Sequence, residues 1–341
     1  MKIAIHHRET SFSSKWIKYC EKNKIDYKVV NCYDSDIIKE LGDCDALMWH
    51  HYHASGKDTQ FAKELIYSLE MSGKLVFPDF RTTWHFDDKL GQKYLLEAVD
   101  APTVPAYAFY SKQEALIWAN TTSYPKVFKL RGGAGSDNVR LVKSRKQCIK
   151  FINQAFGKGY SQYNSWGNLK ERWRKYRIGD TKLGDVLVGV ARLFIPTPYA
   201  RIQGKERGYI YFQDFIPNNT HDIRVTYVYG KCFASRRQVR PGDFRASGSG
   251  LAEWDMSKIP ESAIKSAFDL AKRLKLQTIS LDFVLDKEKP LIVEMSYGFG
   301  YHPDMFKFGY WDEALNYYPG EFNPQAWMVE GVLNTLKVKS N

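Results

Sequence analysis

Strand-like and helix-like segments alternate through the first eighty residues, and this alternation restricts the fold more than any other feature. Residues 2–6, 27–31, 45–48 and 75–77 read as short apolar strands, and residues 13–23, 34–41 and 58–72 between them read as helices. Strands separated by helices cannot pair as hairpins, so they predict a parallel sheet with both faces covered, a doubly wound α/β unit over residues 1–84. In such a sheet ligands collect beyond the carboxyl ends of the strands. Those ends carry His6, His7 and Arg8 after the first strand and His50, His51 and His53 after the third.

The 341 residues exceed one ordinary domain, which predicts at least one further unit. Hydrophobic residues at 44% and charged ones at 26% match a globular chain, and no apolar run approaches the roughly 20 residues of a membrane span. The five cysteines, Cys20, Cys32, Cys44, Cys148 and Cys232, are scattered without CxxC spacing. That argues against a disulfide framework or zinc knuckle and leads us to expect a cytoplasmic protein. Fifty Lys and Arg against 38 Asp and Glu give a net charge of +12, much of the excess lying between residues 158 and 207. Such a balance favours anionic partners. With no zinc finger, RNP-like strand or basic heptad region, specific nucleic-acid binding is not expected.

Beyond the first unit, residues 89–99 read as a helix. Residues 126–130 and 139–142 read as a hairpin around Arg131-Gly132-Gly133-Ala134-Gly135-Ser136, followed by a helix at 144–156. Residues 157–208 read as an irregular, basic and aromatic insertion with one short helix near 169–175. Residues 209–215, 223–229 and 231–238 then alternate as antiparallel strands, residues 261–274 form an amphipathic helix, and residues 278–286 and 291–295 close a last strand pair. The segments at 309–313 and 323–327 read as a structural wrap.

Three groups carry chemistry. Glycines after Lys129 expose backbone N–H groups that can close over a polyphosphate, although a glycine-rich hairpin tip is also simply a turn. Asp282 and Glu294 each interrupt an apolar strand, where a carboxylate is costly to bury without a partner. Facing one another across a hairpin, they would suit magnesium, which takes a couple of carboxylates together with phosphates and water; arginine pairing is the alternative. Among the histidines, strand alternation turns His51 away from His50 and His53. With no cysteine or acidic cluster nearby, a sheet edge that binds substrate through Arg8, His50 and His53 is preferred over zinc.

The order Asp88-Lys89, Lys129 with its glycine loop, Phe212-Gln213-Asp214-Phe215-Ile216-Pro217, Asp222-Ile223-Arg224-Val225, Arg237-Gln238, Gly242-Asp243-Phe244-Arg245, Asp282 and Glu294 resembles the ATP-grasp superfamily over about residues 85–300. It is similar in particular to the ligases that add glutamate to a ribosomal protein and to D-alanine–D-alanine ligases. The resemblance implies an α/β and α+β protein. A doubly wound parallel N-terminal domain (1–84) would precede a two-lobed module: a helix and small lobe (85–212, with the insertion at 157–208) and a large lobe with the carboxylates and the wrap (213–341). It implies ATP and magnesium as cofactors. Lys89, Lys129, Gly133, Gly135 and Ser136 would hold the phosphates, residues Gln213, Asp214, Phe215 and Ile216 the adenine, and Asp222 the ribose. Arg237 and Arg245 would stabilise the transferring phosphoryl group, and Asp282, Glu294 and Ser296 would hold the metal. Ser296 stands where the family commonly has asparagine, and Ser247 likewise follows the arginine-rich strand in place of asparagine. The implied reaction joins a carboxylate to an amine or thiol through an acyl phosphate, with an amino acid, peptide or sugar acid as substrate. The alternatives are a kinase acting on a hydroxyl and an ATP-binding protein with little turnover.

Overall fold

Four sheets organise the chain, and the computed structural model describes residues 1–132, 138–162, 165–177, 179, 181–195, 204–240, 242–246, 251–300 and 302–340. The first sheet joins β1 (Lys2–His6), β2 (Asp26–Val30), β3 (Ala46–Trp49) and β4 (Leu75–Phe77) in the order β2-β1-β3-β4, every pair parallel. Four consecutive residues of β1 and all of β3 and β4 are buried, as covered parallel strands require. Helices α1 (Ser13–Lys22), α2 (Ile37–Glu40) and α3 (Gly56–Met71) make the connections, and Ser55 caps α3 by accepting from the Asp58 N–H. The expected doubly wound α/β unit is present.

After α4 (Phe80–Thr83) and α5 (Lys89–Ala98) comes a small antiparallel sheet ordered β5-β10-β6-β7, where β5 is Ala106–Phe109, β6 Lys126–Lys129, β7 Arg140–Val142 and β10 Ile210–Asp214. Helices α6 (Lys112–Thr121) and α7 (Arg145–Ala155) cover it through Ala115, Ala119, Cys148 and Ile152 against Phe128 and Phe212. Here the sequence-based reading needs correcting. Strand β10 does not pair with the strand that follows it; it lies between β5 and β6.

The insertion also differs from expectation. Among its described residues are a two-stranded ribbon of β8 (Tyr160–Ser161) and β9 (Lys205–Glu206) and two helices, α8 (Ser165–Arg177) and α9 (Leu183–Phe194). Gly189 lets the two helices approach: a Cβ there would meet Leu169 and Arg172 side-chain carbons at 3.0 Å.

The large sheet runs β15-β14-β11-β12-β16-β17, with β13 (Ala252–Glu253) beside β12. Its strands are β11 (His221–Val228), β12 (Lys231–Gln238), β14 (Thr278–Asp286), β15 (Lys289–Ser296), β16 (Tyr310–Asp312) and β17 (Tyr317–Tyr318). Helix Glu261–Leu274 packs Ile264, Ala267, Phe268 and Ala271 onto one face. The C-terminal helix Pro324–Ser340 joins a core built from both ends of the chain: Ile3, Ile5, Trp16 and Phe77 pack with Val228, Phe233, Trp327 and Val332. Among the described residues no helix is long and apolar enough to cross a membrane.

Candidate active site

Strand β6 sends Val127 and Lys129 to one face of the small sheet and Lys126 and Phe128 to the other, because side chains alternate along a strand. Lys126 is held by Asp214 at 2.5 Å. Lys129, buried on the opposite face, donates to Gln213 Oε1 at 2.6 Å. Burial pulls the Lys129 pKa down to about 8, and the nearby Glu294 carboxylate only partly offsets this.

Lys129 looks onto a cavity of about 250 Å³ between the small and large sheets. Gln213, Asp214, Phe215 and Ile216, at the exit of β10, line it, as do Asp222, Arg245, Asp282 and Glu294. Its apolar walls come from Val104, Val127, Val139, Val284 and Val293. Arg245 is braced by Asp243, with Nη2 to Oδ2 at 2.6 Å. Gly133, Gly135 and Ser136, expected over the phosphates, lie outside the described residues, as does Ser247. The stem of that loop is fixed by Arg131, which donates to Asp88 Oδ2 through Nε at 3.0 Å and Nη2 at 2.6 Å.

Strands β14 and β15 place Asp282 and Glu294 directly opposite one another. Both also line a second cavity, of about 700 Å³, that runs to the carboxyl edge of the first sheet. The two carboxylates therefore form the wall between the cavities. They differ in state. Asp282 accepts from Arg224 Nε at 2.7 Å and Nη2 at 2.9 Å, and Arg237 Nη2 approaches its Oδ2 at 2.7 Å. Burial would raise the Asp282 pKa, but the two guanidinium groups outweigh it and hold the carboxyl well below the usual range. Arg237 also donates to Asp222, through Nε at 2.7 Å and Nη2 at 2.5 Å, so Arg224, Asp282, Arg237 and Asp222 form an alternating ladder. Glu294 is about a third exposed and meets Lys89 Nζ at 3.3 Å. Burial pulls the Lys89 pKa down, and the Glu294 and Asp87 carboxylates reverse this, so the net direction is up.

The 700 Å³ cavity collects Arg8, His50, His53 and Ser296, while His51 does not line it. The His51 ring instead bonds Thr83 Oγ1. The His50 ring stacks on Phe12 at 3.9 Å and accepts from the Phe12 N–H at 3.1 Å; burial lowers its pKa to about 3. Arg8 lies over the Tyr52 ring at 4.7 Å. Ser296 Oγ donates to the Gly298 carbonyl at 2.9 Å.

Of the sequence-predicted residues, Lys89 and Arg237 line neither cavity and act within ion pairs. Arg224 had no predicted role, although it holds Asp282. Its signal was an arginine in the buried strand Asp222-Ile223-Arg224-Val225, unreadable without the β11–β14 register.

The donor set fits a nucleotide and a hard cation. The smaller cavity pairs apolar walls with a buried lysine and a braced arginine. A carboxylate offers about four lone-pair sites; the three contacts above leave Asp282 Oδ1 able to accept once more, next to the half-open Glu294. No group of three or more His, Cys, Asp or Glu arranged for a metal occurs among the described residues, so such a cation would take part of its shell from phosphates and water.

No family model and no curated protein matches the chain. Solved structures do. A RimK domain ATP-grasp protein from Sphaerobacter thermophilus aligns over 98% of this chain and 100% of its own, at 13% identity and TM-score 0.56. The D-alanine–D-alanine ligase of Bacillus anthracis aligns over 99% of both chains at 15% identity and TM-score 0.56. The D-cycloserine synthetase DcsG aligns over 98% of this chain and 100% of its own, at 13% identity and TM-score 0.59. At such identities the likeness is one of fold.

Proposed function

The chain has the ATP-grasp fold, and from that premise we propose that it is an ATP-dependent, magnesium-dependent ligase that joins a carboxylic acid to an amine or thiol. The observation that carries this reading is the shared wall. Asp282 and Glu294 border both the cavity lined by Lys129 and the one lined by Arg8, His50 and His53. A phosphoryl donor on one side and an acid on the other would meet there.

When bound, ATP supplies its γ-phosphoryl group to a carboxylate oxygen with ADP leaving, magnesium spreads the phosphate charge, and the amine then displaces phosphate from the acyl carbon and loses a proton. Lys129 and Arg245 bind phosphate oxygens, and the backbone after β10 faces the base. Glu294 and Asp282 would hold the cation, while Arg224 and Arg237 fix the Asp282 carboxylate in one orientation. Arg8, His50 and His53 orient the acid, and the neutral His50 ring adds no competing positive charge. Fixed cations and a metal suit phosphoryl transfer, which asks for positioning and charge stabilisation more than for a protein nucleophile.

The test is ADP release in the presence of pooled carboxylic acids and amines, with mass analysis of the product. Glu294→Gln keeps shape and removes the charge, so turnover should fall by at least a hundredfold while the fold survives. A product bearing phosphate on a hydroxyl would make the protein a kinase, and full activity in Glu294→Gln would remove the metal assignment.

A further inference from the structure

Among the described elements, helices α8 and α9 of the insertion pack mainly on each other. The face that α9 turns towards α8 is well defined. Val186 and Gly189 are buried there, a Cβ on Gly189 would meet Leu169 and Arg172, and Arg172 Nη1 donates to the Asp185 carbonyl at 3.1 Å. The rest of α9 has a different character. With about 3.6 residues per turn, Leu183, Gly184, Leu187, Val188, Val190 and Ala191 share one arc of about 160° that holds no charged residue. All six are exposed, Leu187 by 63% and Leu183 by 51%. The two charges of α9, Asp185 and Arg192, fall beyond that arc. Ile117 is exposed as well, but it is the single exposed apolar side chain of α6, which is ordinary for a protein surface. An open apolar face along a whole helix marks an interaction surface. Its setting is basic. Residues 165–195 carry seven Lys and Arg against three Asp and Glu, and Lys170, Arg174, Arg177 and Lys182 are exposed.

We propose that the α8–α9 hairpin lays the open face of α9 on an anionic lipid bilayer. The helix, about 18 Å long, lies in the plane of the interface with its leucines and valines at the acyl boundary. The cations need no individual partners for this. Packed helices stand about 8–10 Å apart, which is about one Debye length at physiological salt, so the exposed cations of both helices act on the same charged surface. A second copy fits less well, because pairing two hairpins would bring two net-positive segments together. An acidic protein helix would match the charge, but such helices seat in apolar grooves, and α9 offers a single helix face. Docking of this kind holds the protein at a membrane surface whatever reaction it performs.

The experiment is co-sedimentation of the full chain, without nucleotide, with vesicles of phosphatidylglycerol and phosphatidylcholine in equal parts and with vesicles of phosphatidylcholine alone. Binding to the anionic vesicles should be at least tenfold stronger. Leu187→Ser combined with Val190→Ser should reduce it at least tenfold, whereas Ile117→Ser should leave it unchanged. All three side chains are exposed, so the melting temperatures should stay at that of the parent. Leu183→Ser alone probes the same face should the double variant melt early, and it should cost at least threefold. If the variants on α9 bind anionic vesicles as the parent does, charge alone accounts for adsorption and the proposal is refuted. No vesicle binding by a monomeric parent would leave the face to a protein partner and refute it too. A lipid-free dimer that the double variant splits in sedimentation velocity would assign the face to a second copy and refute it equally.

Discussion

Three histidines, His50, His51 and His85, are held neutral by burial, each with its pKa lowered from the ordinary 6.5 to about 3. His50 and His51 have hydrogen-bond partners, but neither ring nitrogen of His85 has one. As pH falls through 6.5 the unfolded chain takes up these protons and the native protein does not, so acid favours unfolding. At pH 5 each histidine costs on the order of 2 kcal/mol of stability relative to pH 7. The urea midpoint should therefore drop steeply between pH 6.5 and pH 5. Burial also lowers the pKa values of His6 and His53, so His85→Phe should reduce that slope by less than about a third, without lowering stability at pH 7. A midpoint flat across this window would show that the three rings are protonated in the native protein.

Strand β6 shows how one element separates two chemically identical side chains. Three residues apart, Lys126 and Lys129 fall on opposite faces, one tied to Asp214 and the other facing the smaller cavity. Lys129→Ala should weaken binding of a non-hydrolysable ATP analogue by about 1.5–3 kcal/mol, the range for a charge-assisted contact, whereas Lys126→Ala should change it by less than about 0.5 kcal/mol. Calorimetry on both variants checks this, and equal losses would place the phosphates elsewhere. The same periodicity made Asp282 and Glu294 legible in the sequence: each stood alone among apolar neighbours, and the short connection between their strands fixed which residues face. Strand β10 was not legible in this way. Its alternation suited an antiparallel neighbour, but its partners at Ala106–Phe109 and Lys126–Lys129 lie about a hundred residues upstream, and no local pattern encodes such a distance. In α9, Gly189 leaves room for α8, since a Cβ there would meet side-chain carbons of Leu169 and Arg172, and a contact between two helices of this kind is not written in either segment alone.

At the scale of the whole molecule, the first sheet has two unlike faces. One is covered from within, with Ala4, Leu47 and Trp49 against Ile66. The other, with Ile3, Ile5 and Phe77, is covered by residues of the large sheet and by Trp327, Met328 and Val332 of the last helix. Gln277 adds a polar seam, accepting from the Asp79 N–H at 2.8 Å and donating to the Val76 carbonyl at 3.0 Å. Residues 1–84 expressed alone should therefore lack a fixed native core, and a two-dimensional NMR spectrum should show collapsed amide dispersion; a well-dispersed spectrum would show that the segment folds without its cover. The shared core also gives the protein a schedule during synthesis. Roughly 250 residues separate Phe77 from Trp327, and at about 5–20 residues per second the ribosome needs roughly 12–50 s to bridge them. For that interval the first sheet waits with its second apolar face covered only by Phe12, Trp16 and Cys20 at α1, until the helix Pro324–Ser340 emerges to complete the cover.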